Sequence, residues 1–172
     1  MDRACFTLEI APARIADYIT AHAQTWPELV RALDASGWRN YSIFLRNDGT
    51  LIGYWESPDP AGAMAAMDEL DVSRRWSLEM DDLAVAGSTM QHPPLVAESG
   101  AADGDRRFAF RLPAGHPFEP RTVAWSNLAV FAAANGERIV YGETANPTDE
   151  VLALAAEFPE VFNLDQQLRR VS

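Results

Sequence analysis

Asn40-Tyr41-Ser42-Ile43-Phe44-Leu45-Arg46-Asn47-Asp48-Gly49-Thr50-Leu51-Ile52-Gly53-Tyr54-Trp55-Glu56 is the stretch that decides the fold. Tyr41, Ile43 and Leu45 alternate with Ser42, Phe44 and Arg46, the period of two that places successive side chains on opposite faces of a strand. Leu51 to Glu56 forms a second such run. Asp48-Gly49 lies between them, and this pair accepts the positive φ angles of a tight hairpin turn. The reading is an antiparallel hairpin.

Working outward, Phe6, Leu8 and Ile10 alternate with Cys5, Thr7 and Glu9 as a half-buried strand. Pro12 suits the first turn of a helix. Ile15, Tyr18, Ile19 and His22 recur at steps of three and four, so they share one helix face that should turn inward. Trp26-Pro27 redirects this helix, Glu28 to Ala35 continues it and Gly37 closes it. After the hairpin, Pro58 to Pro60 ends the strand, and Ala61–Leu70 and Val72–Leu83 read as helices with Asp71 capping the second. The order is strand, helix, strand, strand, helix. Glu160-Val161-Phe162-Asn163-Leu164 supplies a last strand, which completes an α+β, ferredoxin-like split βαβ unit.

Residues 85 to 147 hold six of the ten glycines and six of the eleven prolines, a texture that marks an insertion. The expected organisation is therefore a ferredoxin-like domain of residues 1–84 plus 158–172, with an inserted, largely β segment over 85–157. Within it, Ala97 to Arg107 reads as a polar, flexible linker. Residues 107–112, 122–132 and 137–142 read as strands, the last two joined at Asn135-Gly136. Thr148 is placed to cap a helix running to Phe158, with Asp149 and Glu150 at the positive end of its dipole. No internal repeat is evident.

Fourteen basic against twenty-five acidic residues leave a net charge of -11. That charge repels phosphate backbones and anionic lipid surfaces, so no nucleic acid and no membrane is expected as partner. A neutral sugar would not be repelled. Cys5 is the only cysteine and reads as inert filling, in a chain expected in the cytoplasm. No signal peptide or membrane span is expected. His92 and His116 each precede a proline or proline-rich stretch without clustered ligands, so they read as solvated loop residues and no metal site is expected.

The candidate site lies on the first helix. Tyr18 and His22 are one turn apart, and histidine is the side chain whose ordinary pKa lets it exchange a proton near neutral pH. A neighbouring phenol that forms hydrogen bonds suits a reaction that only moves protons. Read by themselves, the tyrosines also fit an amphipathic core edge. Trp76, on a stripe with Val72, Met80 and Leu83, fits a packed helix contact.

Tyr18-x-x-x-His22, Trp26-Pro27-Glu28-Leu29, Gly37-Trp38-Arg39-Asn40-Tyr41-Ser42-Ile43-Phe44-Leu45 and Arg75-Trp76, together with the terminal Glu160 to Asp165, resemble the L-rhamnose mutarotase family. The resemblance covers residues 4–84 and the 160–165 strand. It implies a dimeric α/β-barrel type of fold, a homodimer that pairs sheet to sheet, and interconversion of the anomers of L-rhamnose or a related pyranose without cofactor or metal. By resemblance His22 is the catalytic proton donor, and Tyr18, Tyr41 and Trp76 contact the sugar, a small neutral monosaccharide. Ser77 stands where the family usually has a second tryptophan, which removes one stacking surface. A cofactor-free oxygenase of the same fold and a non-catalytic sugar-binding module are the alternatives.

Overall fold

A computed structural model describes all 172 residues. Strand β1 (Asp2–Glu9) leads into helices α1 (Ile15–Ala23) and α2 (Pro27–Ala35), then the hairpin β2 (Arg39–Leu45) and β3 (Thr50–Ser57), and helices α3 (Pro60–Asp68) and α4 (Asp71–Asp81). Strands β4 (Leu95–Gly100), β5 (Arg106–Leu112), β6 (Asn127–Ala132) and β7 (Arg138–Thr144) follow. Helix α5 (Asp149–Ala155), strand β8 (Glu160–Asn163) and helix α6 (Leu164–Val171) close the chain. The ferredoxin-like α+β class stands, and the expected last strand, β8, joins the first sheet at the edge formed by β2.

Two four-stranded antiparallel sheets result, in the orders β1-β3-β2-β8 and β4-β6-β7-β5. Alternation along β3 explains their packing. Leu51 and Trp55 point to one side, into a core shared with α1, α2, α3 and α4. Ile52 and Tyr54 point to the other, into a core shared with Phe110, Leu128, Phe131 and Val140 of the second sheet. The first sheet is thus buried on both faces, by helices on one and by the second sheet on the other. Gly53 is required by this packing: a Cβ there would lie 2.2 Å from the Phe6 ring.

The linker expected over Ala97–Arg107 is corrected. Leu95–Gly100 is an edge strand paired with β6, and Arg106 and Arg107 already belong to β5, so only residues 101–105 connect them. Only Leu95 and Ala97 of β4 are half-buried and its last three residues are exposed, so this edge strand carries no long apolar run to betray it. Two smaller corrections concern residues 122–132, of which only 127–132 is strand, and Asp71, which opens α4 by pairing with Arg75 while Leu70 holds the cap position.

At the centre of the interface between the sheets, Tyr54 and Tyr141 stack with ring centroids 3.5 Å apart. Each hydroxyl donates to a buried carboxylate on its own strand, Tyr54 to Glu56 at 2.7 Å and Tyr141 to Glu143 at 2.9 Å. The amides of Asn40 and Asn127 each donate to both carboxylates, over 2.6 to 3.1 Å. Burial first, and then the adjacent carboxylate, raise both phenol pKa values, so the hydroxyls stay donors. Asn40 reaches this position from a bulge, at φ +49°, a left-handed angle that asparagine accepts.

The members of this network are related by a constant step: Asn40 and Asn127, Tyr54 and Tyr141, Glu56 and Glu143 are each 87 residues apart. One spacing shared by three pairs in one network stands against the expectation of no internal repeat. Reading for fixed periods along the chain misses it because only two copies exist and loops of unequal length separate them.

Replacing Asn127 with leucine leaves two buried carboxylates short of a donor each. Urea denaturation should then report a loss of about 2–4 kcal/mol. A loss under about 0.5 kcal/mol, the size of an ordinary surface change, would show that the network does not hold the sheets together.

Candidate functional site

Pro27 ends the run of α1 and turns the chain, so α1 and α2 lie over the helix-side face of the first sheet. α1 is held at its C-terminal end, where carbonyls lack partners within the helix. Thr25 Oγ1 donates to the His22 carbonyl at 2.8 Å, and Arg170 of α6 donates to the carbonyls of Ala23 and Thr25. This fixes the turn that carries His22.

His22 is 4 % exposed. It stacks on Tyr18 at 4.0 Å and meets the edges of Trp76 at 5.2 Å and Phe162 at 5.8 Å. Its Nδ1 lies 3.0 Å from the Tyr18 carbonyl oxygen. A carbonyl only accepts, so Nδ1 carries the hydrogen and the neutral ring keeps its lone pair on Nε2. Burial lowers the imidazole pKa to about 4, partly opposed by that hydrogen bond. At neutral pH His22 is therefore an uncharged ring with Nε2 as its basic atom.

A cavity of about 240 Å³ opens between α1, α3, α4 and the first sheet, and its walls are mostly apolar. His22, Tyr18, Tyr41 and Trp76 all line it, so the structure brings the four sequence-predicted residues together. Tyr18 and Tyr41 are buried enough that their pKa values rise, and no hydrogen bond contributes to either shift. Each phenol thus keeps its proton at neutral pH. Tyr41 packs at 5.0 Å against Phe162, which also touches His22.

The sequence reading missed Trp38, Trp55, Asp68, Ser73, Asp81 and His92, all of which line the same cavity. Trp38 stacks flat on Trp55 at 3.7 Å and donates its Nε1–H to the Ala63 carbonyl, which fixes an aromatic floor. Trp38 was in view within the family-like motif but unassigned. His92, expected as a solvated loop residue, is exposed and also stands at the cavity wall. A strap over residues 84–94 carries it, bridged to β1 by Thr7–Gln91 and to the residue after β1 by Ile10–Ala84. Ser77 lines the cavity as well, so the missing second tryptophan leaves polar space there. No three His, Cys, Asp or Glu side chains converge to hold a metal ion.

Comparison with known proteins adds to this geometry. A family model described as L-rhamnose mutarotase matches residues 3–100, ending at the last residue of β4. An L-rhamnose mutarotase of Acidiphilium cryptum is 40% identical over 84 residues, which are 48% of this chain and 80% of that protein. One from Paraburkholderia phytofirmans is 33% identical over 95 residues, 55% of this chain and 87% of that one. Among solved structures, a putative monooxygenase of Lactobacillus acidophilus has a similar fold over 98% of this chain and 84% of its own, with a TM-score of 0.53 and 10% identity.

The His22 environment predicts a pH dependence. With a folded-state pKa of about 4 against an ordinary value near 6.5, the native state binds fewer protons than the unfolded chain between those limits. Stability should be full above about pH 6.5 and fall as pH drops towards 4. Replacing His22 with glutamine should flatten this window relative to wild type, and a His22 imidazole signal should titrate near 4 by NMR. A titration near 6.5 would contradict the buried, neutral ring.

Proposed function

The chain belongs to the L-rhamnose mutarotase family, and on that premise we propose that it interconverts the α and β anomers of L-rhamnose or a related pyranose, with His22 as the acid–base group. The observation that carries this reading is a neutral imidazole at the wall of a sugar-sized apolar cavity, tied at Nδ1 and free at Nε2.

Ring opening requires the anomeric hydroxyl to lose a proton and the ring oxygen to gain one. Nε2 of His22 takes the anomeric proton, the C1–O5 bond breaks, and O5 is protonated from water. After the aldehyde turns, the reverse transfers close the ring on its other face, and the imidazolium returns its proton to the new anomeric oxygen. The acceptor of one leg is the donor of the other, as microscopic reversibility requires. Tyr18 and Tyr41, which keep their protons, donate hydrogen bonds to sugar oxygens. Trp76 and the Trp38 floor offer flat faces to the C–H surface of the ring. Asp68 and Asp81 supply acceptors for hydroxyls.

The oxygenase alternative rests on fold likeness at 10% identity, which supports architecture alone. The partner is a neutral monosaccharide, in keeping with the charge of -11. A cytoplasmic setting fits the lone thiol of Cys5, which burial pushes to a high pKa and so keeps inert. The pairing of sheets expected between two copies is made here within one chain.

Magnetisation exchange between the anomeric protons of L-rhamnose tests the proposal. Wild-type protein should accelerate exchange, and His22→Ala should remove about 10²–10⁴-fold of that acceleration. Trp76→Ala should raise KM about tenfold and leave kcat closer to wild type. If folded wild-type protein accelerates exchange for none of several pyranoses, the reading fails.

A further inference from the structure

We propose that this chain is two copies of one ferredoxin-like unit joined in tandem, in which the second copy takes the place of a second subunit, so that the working molecule is a single chain with a single sugar site. The sugar itself rests on the function proposed above; the tandem architecture does not.

The repeat extends beyond the buried network. Between residues 38–57 and 125–144, a step of 87 also matches Trp38 with Trp125, Phe44 with Phe131, Gly49 with Gly136 and Ile52 with Ile139. Asp48-Gly49 and Asn135-Gly136 are then the same hairpin turn in two copies. Pairing obeys the same rule: Arg3 lies opposite Glu56 as Arg107 lies opposite Glu143, and Cys5 opposite Tyr54 as Ala109 opposite Tyr141. Even the irregularities repeat. The register of β8 on β2 shifts between Ile43 and Phe44, and that of β4 on β6 shifts beside Val130 and Phe131, the positions 87 residues later.

In this frame β1, β2, β3 and β4 are one unit, and β5, β6, β7 and β8 the other. Each unit lends its fourth strand to the sheet of its twin, β4 to β6 and β8 to β2. Each first strand reaches across to anchor the fourth strand of its own unit, the one that unit lends. Arg3 bonds Glu98 and the Gly100 carbonyl of β4, while Arg107 pairs with Glu160 of β8 and with Asp165 just beyond it. Strand exchange of this kind ordinarily joins two chains. Here both partners are covalently linked.

What the second copy retains is what the interface uses. The asparagine, tyrosine, glutamate and phenylalanine positions facing the twin sheet are kept. What it has lost is what the cavity uses. Residues 10–38 of the first unit hold α1 and α2, whereas residues 113–126 of the second hold only one short 3₁₀ turn, so Tyr18 and His22 have no counterpart. Tyr41 is matched by Leu128, and Trp55 by Gly142, over which Trp125 folds with ring carbon 2.4 Å from where a Cβ would stand. The second outer face is filled, and only one site remains. Yet that site depends on the second unit, because Phe162 of the lent strand packs on both His22 and Tyr41.

Light scattering on the full chain, over a wide concentration range, tests this directly. The expected mass is that of one chain, 19.0 kDa; a stable mass of twice that value would overturn the proposal. Titration with L-rhamnose should give one site per chain, and two would overturn it. Phe162→Ala should keep the monomer mass and lower exchange acceleration about tenfold, whereas wild-type acceleration would show that the second unit gives the site nothing. Absence of any sugar binding by a monomer would count against the mutarotase reading and leave the tandem architecture supported by its mass.

Discussion

Two buried carboxylates, Glu56 and Glu143, accept from the same two asparagine amides at the meeting of the sheets, and the rest of the molecule is arranged around that shared network. Buried carboxylates without donors are costly, so each sheet needs the side chains of the other. The stacked tyrosines add apolar contact to the same point. With one face of the first sheet closed in this way, its other face is free to carry helices and a cavity.

That cavity gains its chemistry from confinement. Three aromatic rings surround the His22 imidazole and lower its pKa, while the Tyr18 carbonyl fixes its tautomer. A solvated histidine would be partly charged and free to turn. The same burial raises the pKa values of Tyr18 and Tyr41, so neighbouring groups diverge in proton affinity: one is a base and two are donors. This divergence, rather than any one residue, suits the site to a reaction that moves protons across a sugar ring.

Much of this was legible in the sequence. The hairpin at Asp48-Gly49, the inward face of Tyr18 and His22, and the break at Trp26-Pro27 follow from local rules, because turn chemistry and periodicity act over a few residues. The last strand could be placed because Val161 and Phe162 interrupt polar sequence. Ile19 was expected to face inward and is instead 39% exposed, since the buried stripe of α1 is narrower than its apolar sequence. The role of residues 85–157 was not legible. β4 is an edge strand that is apolar only over Leu95, Val96 and Ala97 and ends in Glu-Ser-Gly, and the kinship of β6 and β7 with β2 and β3 rests on residues that meet only in three dimensions. The signal was present in Asn-x-x-x-Phe and Tyr-x-Glu recurring at one spacing, but it required alignment of the chain with itself. His92 was likewise read as loop because only the pairing of Gln91 with Thr7 brings the strap to the cavity.

A crystal structure of the protein with L-rhamnose tests the account most directly. The account predicts one sugar per chain, its anomeric oxygen within hydrogen-bond reach of His22 Nε2 and its C–H face against Trp76, with the Glu56–Glu143 network closed within that same chain. A sugar bound elsewhere, or the network completed by residues of a second chain, would contradict it.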